Sequence, residues 1–548
     1  MHNQHTPLPL PMTDPYQSGL EDTQKSVHNP LPPHKPQEKS FWRERCIEGG
    51  LIISLALYYF CCNKNLQFGI FTHQNPLYSL PFLLIFAILC WYRLSIALAL
   101  LPLTLPYYLT AYQKIVVSDK AFSLVEVMLA TCVLVAALRF LLVKEERRLW
   151  SGLREKIGPF LLPIGVFLLA TVIASVLAVS KKAAYYALTE EVIGPLLYLV
   201  LVLVYLRTRH DIQRLLVAFI GTGVVITILG LAQYYIFKLP VDPEGSRVHA
   251  VYGSGNNIGT LFDYILPLLL ALLIGRKIAW QYRLLAFVIS VPMSYVLYLS
   301  QSRGAWLAII CAIVFIAVCS LRNRKIVLIG GTILAVVLVI VLLLFHNKLF
   351  SFLEKGHVSS TGQSTLMKRP YLWLTAIHMI EDNPWMGYGM DNWLCYYSNN
   401  QLCKAPVKHF WVTVDPITHK PTGLKDEPTL SHPHNIFLQV WVSAGFFGFL
   451  AFAGVLILFY WLFARILAQI RLSGDQEKER RLHWMIVGIG AAIGAALVQG
   501  QVDSTFLEQD LAFCFWALIA ALLVMRLQAG VAWRGQQAVD TTGIADMK

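Results

Sequence analysis

Charge is scarce in this chain: Asp, Glu, Lys and Arg make up only 14% of its 548 residues, against about 25% in a soluble domain. With 56% hydrophobic residues beside it, that scarcity excludes an ordinary cytosolic enzyme and intrinsic disorder alike. Cysteine is sparse too. Ten in the whole chain are too few for a disulfide-stapled secreted fold. No Gly-x-Ser-x-Gly or Walker-type loop occurs, so the usual signatures of a serine hydrolase or an ATPase are missing. The stretch 61–76 holds no Asp or Glu, and no Asp-x-Asp faces outward. A metal-dependent membrane glycosyltransferase would need such carboxylates to hold its cation, so no metal ligands are assigned.

What is present is apolar sequence in continuous runs. A membrane-spanning helix needs about 20 mostly apolar residues. Runs of that kind fall near 47–62, 77–92, 94–112, 121–143, 159–180, 187–206, 215–237, 258–274, 284–300, 304–321, 326–345, 436–464, 484–502 and 511–528. Their continuity excludes an outer-membrane barrel, whose strands alternate. The expected fold is an all-α polytopic membrane protein with about 12–14 transmembrane helices;.

Basic residues orient the bundle. The loops placed in the cytoplasm carry 20 Lys and Arg, including clusters at 144–156, 207–214 and 465–481, whereas the short loops of the other side carry 8. By the positive-inside rule both termini are cytoplasmic. The formal net charge of +13 is therefore a topology signal, and a nucleic-acid partner is not needed to explain it. Residues 1–46, with eight Pro and four His in the first 40, form an expected disordered tail. A helix bundle follows over 47–345, then a large loop over 346–433, further helices over 434–528 and a short tail over 529–548. The loop lies on the non-cytoplasmic side, a periplasm or its equivalent, and is rich in Trp and Tyr, which argues against disorder. It holds Cys395 and Cys403, a disulfide pair or two free thiols.

Several residues at this outer face are suited to chemistry. Arg303, in Gln301-Ser302-Arg303-Gly304-Ala305-Trp306, stands where one span ends and the next begins. It is either a snorkelling interfacial residue or an anion contact near a helix N-terminus. Arg369 precedes Pro370, which suits a first helical position. A helix starting there would join a guanidinium fork to free backbone N–H groups. Gly387-Tyr388-Gly389 reads as a turn that lets the chain approach a neighbour closely. His432-Pro433-His434-Asn435 leads back into the membrane, with Asn435 a candidate N-cap and His434 an imidazole suited to general-base work near neutral pH. Lys181 and Lys182 are outward candidates for phosphate contact, and Glu190 and Glu191 could simply pair with them.

Taken in order, Gly253–Pro267, Gln301–Trp306, Arg369–Trp373, Asp382-Asn383-Pro384, Gly387-Tyr388-Gly389 and His434-Asn435 with Gly445 and Gly448 resemble the O-antigen ligase/polymerase superfamily, over about 160–528. The resemblance implies a glycosyltransferase of the bacterial inner membrane. It would move a glycan from an undecaprenyl-diphosphate carrier to lipid A–core, or to another glycan, at the periplasmic face, without metal or other cofactor. It further implies His434 as base, Arg369 and Arg303 at the diphosphate, and Asn435, His432, Lys181 and Lys182 as substrate contacts. Inner-membrane lipid is the expected surrounding partner. An O-antigen polymerase and a protein O-oligosaccharyltransferase would use the same donor. A transporter or lipid-linked sugar flippase would instead need ionisable residues near the bilayer midplane, and the charges here fall mostly at run ends.

Overall fold

The computed structural model describes residues 38–62, 76–105, 107, 123–237, 247–252, 254–275, 278–320, 365–397, 407–408, 410, 432–504 and 509–533. Among the described residues the regular structure is helical, with no strand. Eleven helices among the described residues are long and apolar enough to cross a membrane, so the chain is an all-α polytopic membrane protein. The chain divides into two units, 1–49 and 50–548. A helix runs Glu38–Cys62, so the last residues assigned to the Pro-rich tail are helical; 1–37 lie outside the described residues.

Two predicted spans are shorter than expected. Leu80–Tyr92 and Leu94–Thr104 are separate short helices, because the backbone turns sharply at Arg93 (φ −145°, ψ 65°). The chain nonetheless climbs back between them. Arg139, near the end of the Leu124–Leu142 helix, donates to the Trp91 carbonyl at 3.0 Å, while Leu124 N at that helix's start donates to the Tyr107 carbonyl at 2.7 Å. The run 326–345 lies outside the described residues, as do Cys403 and most of the large loop.

Local sequence sets the helix starts. Ser123 and Thr208 each form a capping box, with Glu126 and Asp211 three residues on, satisfying N–H groups that a helix start would leave bare. The centre of the bundle is made by Gly255–Ile274, Leu482–Gln499 and Asp510–Ala529, the most buried of the apolar helices, while Arg303–Ser320 presents most of its surface outward. Asp263 departs from the pattern of charges at run ends. It is fully buried, eight residues into the Gly255–Ile274 helix, and neither carboxyl oxygen has a hydrogen-bond partner among the described residues.

The Ile436–Leu472 helix is broken at Gly445 (φ 68°). Backbone groups freed by the break are taken up by the Gly387-Tyr388-Gly389 turn. Tyr388 N and Gly389 N donate to the carbonyls of Val442 and Ser443 at 2.8 and 3.0 Å, and Phe446 N donates to the Pro384 carbonyl at 2.8 Å. No side chain fits here: a Cβ at Gly445 would lie 2.0 Å from the Trp385 carbonyl oxygen, and one at Gly387 would lie 2.5 Å from Gly445 N. The close approach read from the sequence is thus a backbone-to-backbone plug, which keeps irregular main chain hydrogen-bonded within the bundle.

Candidate active site

The site is built on the 432–435 turn. Asn435 caps the following helix, its Oδ1 accepting from Phe437 N and Leu438 N at 3.0 and 3.1 Å. Its Nδ2 donates to the Gln501 carbonyl at 3.2 Å, and Ile436 N donates to the Gly500 carbonyl at 2.7 Å. These two bonds lash the start of one helix to the turn that ends another, Gln476–Gln499. They also carry Asp503 and Ser504 to the two histidines. His434 Nδ1 lies 3.1 Å from Asp503 Oδ1, and His432 Nδ1 lies 2.6 Å from Ser504 Oγ. The two imidazoles meet edge to face, with centroids 4.5 Å apart. His434 holds φ 54°, a left-handed conformation that a non-glycine residue keeps only when its surroundings enforce it.

The arginines come from two further elements. Trp373 Nε1 donates to the His434 carbonyl at 3.4 Å. Arg369 lies one helical turn before Trp373, on the same face, within the helix Thr365–Asp382. Arg303 is the first residue of Arg303–Ser320, just after Gln301, which also has positive φ (53°). That helix start packs on the 499–502 turn, where a Cβ on Gly304 would lie 2.9 Å from Val502. Arg369 is close enough for its charge to act on Arg303, His434 and Asp503. Four ionisable groups from separate parts of the chain therefore share one locality.

Electrostatics fixes the protonation of the central pair. Burial, then the neighbouring His432, lowers the His434 pKa to about 4 against the opposing pull of Asp503, and Arg369 adds to the lowering. Burial alone would raise the Asp503 carboxyl. The hydrogen bond and charge of His434, followed by Arg369 and His432, outweigh burial and hold it below the usual carboxylate range. At neutral pH this leaves an ionised Asp503 and a neutral imidazole. The carboxylate selects the tautomer with its proton on Nδ1, so the Nε2 lone pair is left as a base. His432, His434 and Asp503 also place one ligating atom each within 4.8 Å of one another. Two imidazoles and a carboxylate suit a zinc-like ion, but ligation at His434 would compete with its use as a base.

Some expectations shift. Arg369 does not open its helix: the helix begins at Thr365, so Pro370 sits inside it and free N–H groups do not surround the guanidinium. Asn435 serves as cap and tether. Lys181 and Lys182 stand exposed at the start of the helix Lys181–Ala187, with Lys182 Nζ 5.8 Å from the Tyr186 ring centroid. Glu190 is buried in a π-helical stretch, Leu188–Ile193. Glu191 lines a small cleft with Asp391, His432 and Gln439. Cys395 is disulfide-bonded. Asp503 escaped the sequence reading. It lies in a short turn, and only the fold brings it to His434, 69 residues away in sequence. The described part of the aromatic loop buries Tyr388, Trp393, Tyr397 and Phe410 in a small core of its own.

Residues 285–453 match the family model described as O-antigen ligase. That segment contains Arg303, Arg369, both histidines and the Gly445 break, and it ends before Asp503. An alignment over 296 residues relates the chain to a protein of Salmonella typhimurium strain LT2 described as O-antigen ligase, at 24% identity. It covers 52% of this chain and 65% of that protein, so the chain spans a little under two thirds of the relative's length.

Proposed function

We propose that this chain is an O-antigen ligase, a reading supported by the family-model match over 285–453 and by the alignment to the Salmonella protein. In this reading it transfers a glycan from a polyprenyl-diphosphate carrier to a hydroxyl of lipid A–core at the periplasmic face of the inner membrane. The acceptor hydroxyl attacks sugar C1 and gives its proton to His434 Nε2. A bond forms between C1 and the acceptor oxygen while the bond from C1 to the diphosphate oxygen breaks. The electron pair leaves with the diphosphate, where Arg369 and Arg303 stabilise the developing charge. Asp503 does not take the proton; it holds the tautomer and stabilises the imidazolium that forms.

One observation carries this reading: a neutral, buried histidine paired with a carboxylate at 3.1 Å, with two arginines nearby. The disulfide at Cys395 supports an oxidising compartment for this face, in agreement with the distribution of basic loops.

Purified protein reconstituted with a carrier-linked donor and lipid A–core tests the reaction. Glycosylated core should form without nucleotide and in excess EDTA. Movement of donor across the bilayer without a new linkage would replace the enzyme by a transporter. Extension of carrier-linked glycan would make it a polymerase. Loss of transfer in EDTA, restored by zinc, would reassign the His432, His434 and Asp503 cluster to a metal.

A further inference from the structure

The end of the bundle opposite His434 carries a groove of about 1000 Å3, bordered by Arg154, Leu162, Gly165, Leu169, Trp461 and Trp533. Its wall is apolar and open: Leu162 and Leu169 are 74% and 60% exposed. Its mouth is aromatic and basic. Trp461 and Trp533 stack at 6.1 Å with an interplanar angle of 7°. Arg465 lies over Trp461 and Arg526 over Trp533, at 5.0 and 4.2 Å from the ring centroids. Trp533 is fixed by its Nε1, which donates to the Glu155 carbonyl at 2.7 Å, and Arg526 donates to the same carbonyl at 3.2 Å. Arg465 Nη1 and Arg526 Nε are buried with no acceptor among the described residues. The lining itself carries one arginine, Arg154, and one acid, Glu155, while Arg465 and Arg526 add positive charge against the faces of its two tryptophans.

We propose that this groove holds an anionic glycerophospholipid of the leaflet on this basic face. Its phosphate would lie at Arg154 and the Arg465–Trp461 stack, and an acyl chain would run along the wall past Gly165. The dimensions suit a lipid. From Gly158 to Leu169 the wall rises about 16 Å at helical pitch, close to half of the roughly 30 Å hydrocarbon core. Arginine and tryptophan then sit at headgroup depth, where their amphipathic side chains are favoured. A polyprenyl donor is the poorer occupant, because the groove lies at the far end of the bundle from His434. Gly165 leaves space for the chain: a Cβ there would meet nothing within 4 Å.

The test is lipid retention by the full-length protein, read by native mass spectrometry, with thermal unfolding measured in parallel. Phosphatidylglycerol should be retained about tenfold better than phosphatidylcholine and should raise the unfolding midpoint. Gly165→Phe, which fills the groove without backbone strain, and Arg154→Gln, which removes a headgroup contact, should each lower retention by about tenfold at unchanged helix content. If Gly165→Phe fails to fold, Arg154→Gln decides. Equal retention of the two lipids, undiminished retention in a folded variant, or displacement of phosphatidylglycerol by a polyprenyl phosphate would overturn the assignment.

Discussion

Arg303 and Arg369 at one end of the bundle, and Arg465 and Arg526 at the other, are the same side chain in two settings. At the first end the guanidiniums gather around a histidine–carboxylate pair, on helix starts and turns that hold positive φ at Gln301 and His434. At the second they lie over tryptophan rings, on regular helix and with no such strain. Stacked arginine anchors, since its charge faces a fixed ring. In the proposed reaction, arginine beside the base meets charge that appears and disappears. Glycine marks the same difference: Gly445 is wedged against another backbone, and Gly165 faces open space.

That contrast can be broken, and the largest expected effect comes first. His434→Ala should cut transfer by about 10³-fold or more, read as single-turnover rate in reconstituted protein, since it removes the only proton acceptor the reaction is given. Gly445→Ala should leave little folded protein, because a Cβ there meets main chain and φ 68° is itself strained;. The matched change Gly165→Ala should leave the yield of folded protein unaltered. Arg369→Lys should slow transfer by about 10- to 100-fold, because a point charge cannot reproduce the guanidinium fork. Activity as marked in Arg465→Lys would erase the distinction if it fell equally far.

The pH profile sharpens the same point with a smaller effect. A His434 pKa lowered to about 4 means that the imidazole is neutral, and so a competent base, throughout the neutral range. For free enzyme, kcat/KM should stay flat as pH falls from 7 to about 5, then drop about tenfold per unit below about 4. Bound diphosphate adds negative charge near the ring and raises its pKa, so the acid limb of kcat should lie above that of kcat/KM. A limb near the ordinary histidine value in kcat/KM would mean that the ring is not buried as described.

Much of the architecture was legible in the sequence because hydrophobic runs are a local property. The runs at 436–464 and 511–528 correspond to the helices Ile436–Leu472 and Asp510–Ala529. Where the reading failed, the determinant was not local. Pro370 suggested a helix start, but the preceding residues from Thr365 are already helical, and the helix runs through the proline at the cost of one bond to the Leu366 carbonyl. Asp503 carries no motif at all. It matters because the Gly500 and Gln501 carbonyls bind Ile436 N and Asn435 Nδ2, a pairing that only folding creates. Glu191 and Asp391 meet His432 in one cleft for the same reason.

The most direct measurement is a double-mutant cycle on transfer rate between His434 and Asp503. Asp503→Asn alone is expected to slow transfer by about 10²- to 10⁴-fold, since the amide no longer holds the reactive tautomer. In a His434→Ala background the same change should cost nearly nothing further, because residues that act as one unit are not additive. Losses that simply multiply would show that Asp503 and His434 work separately, and the account of a carboxylate-held base would be wrong.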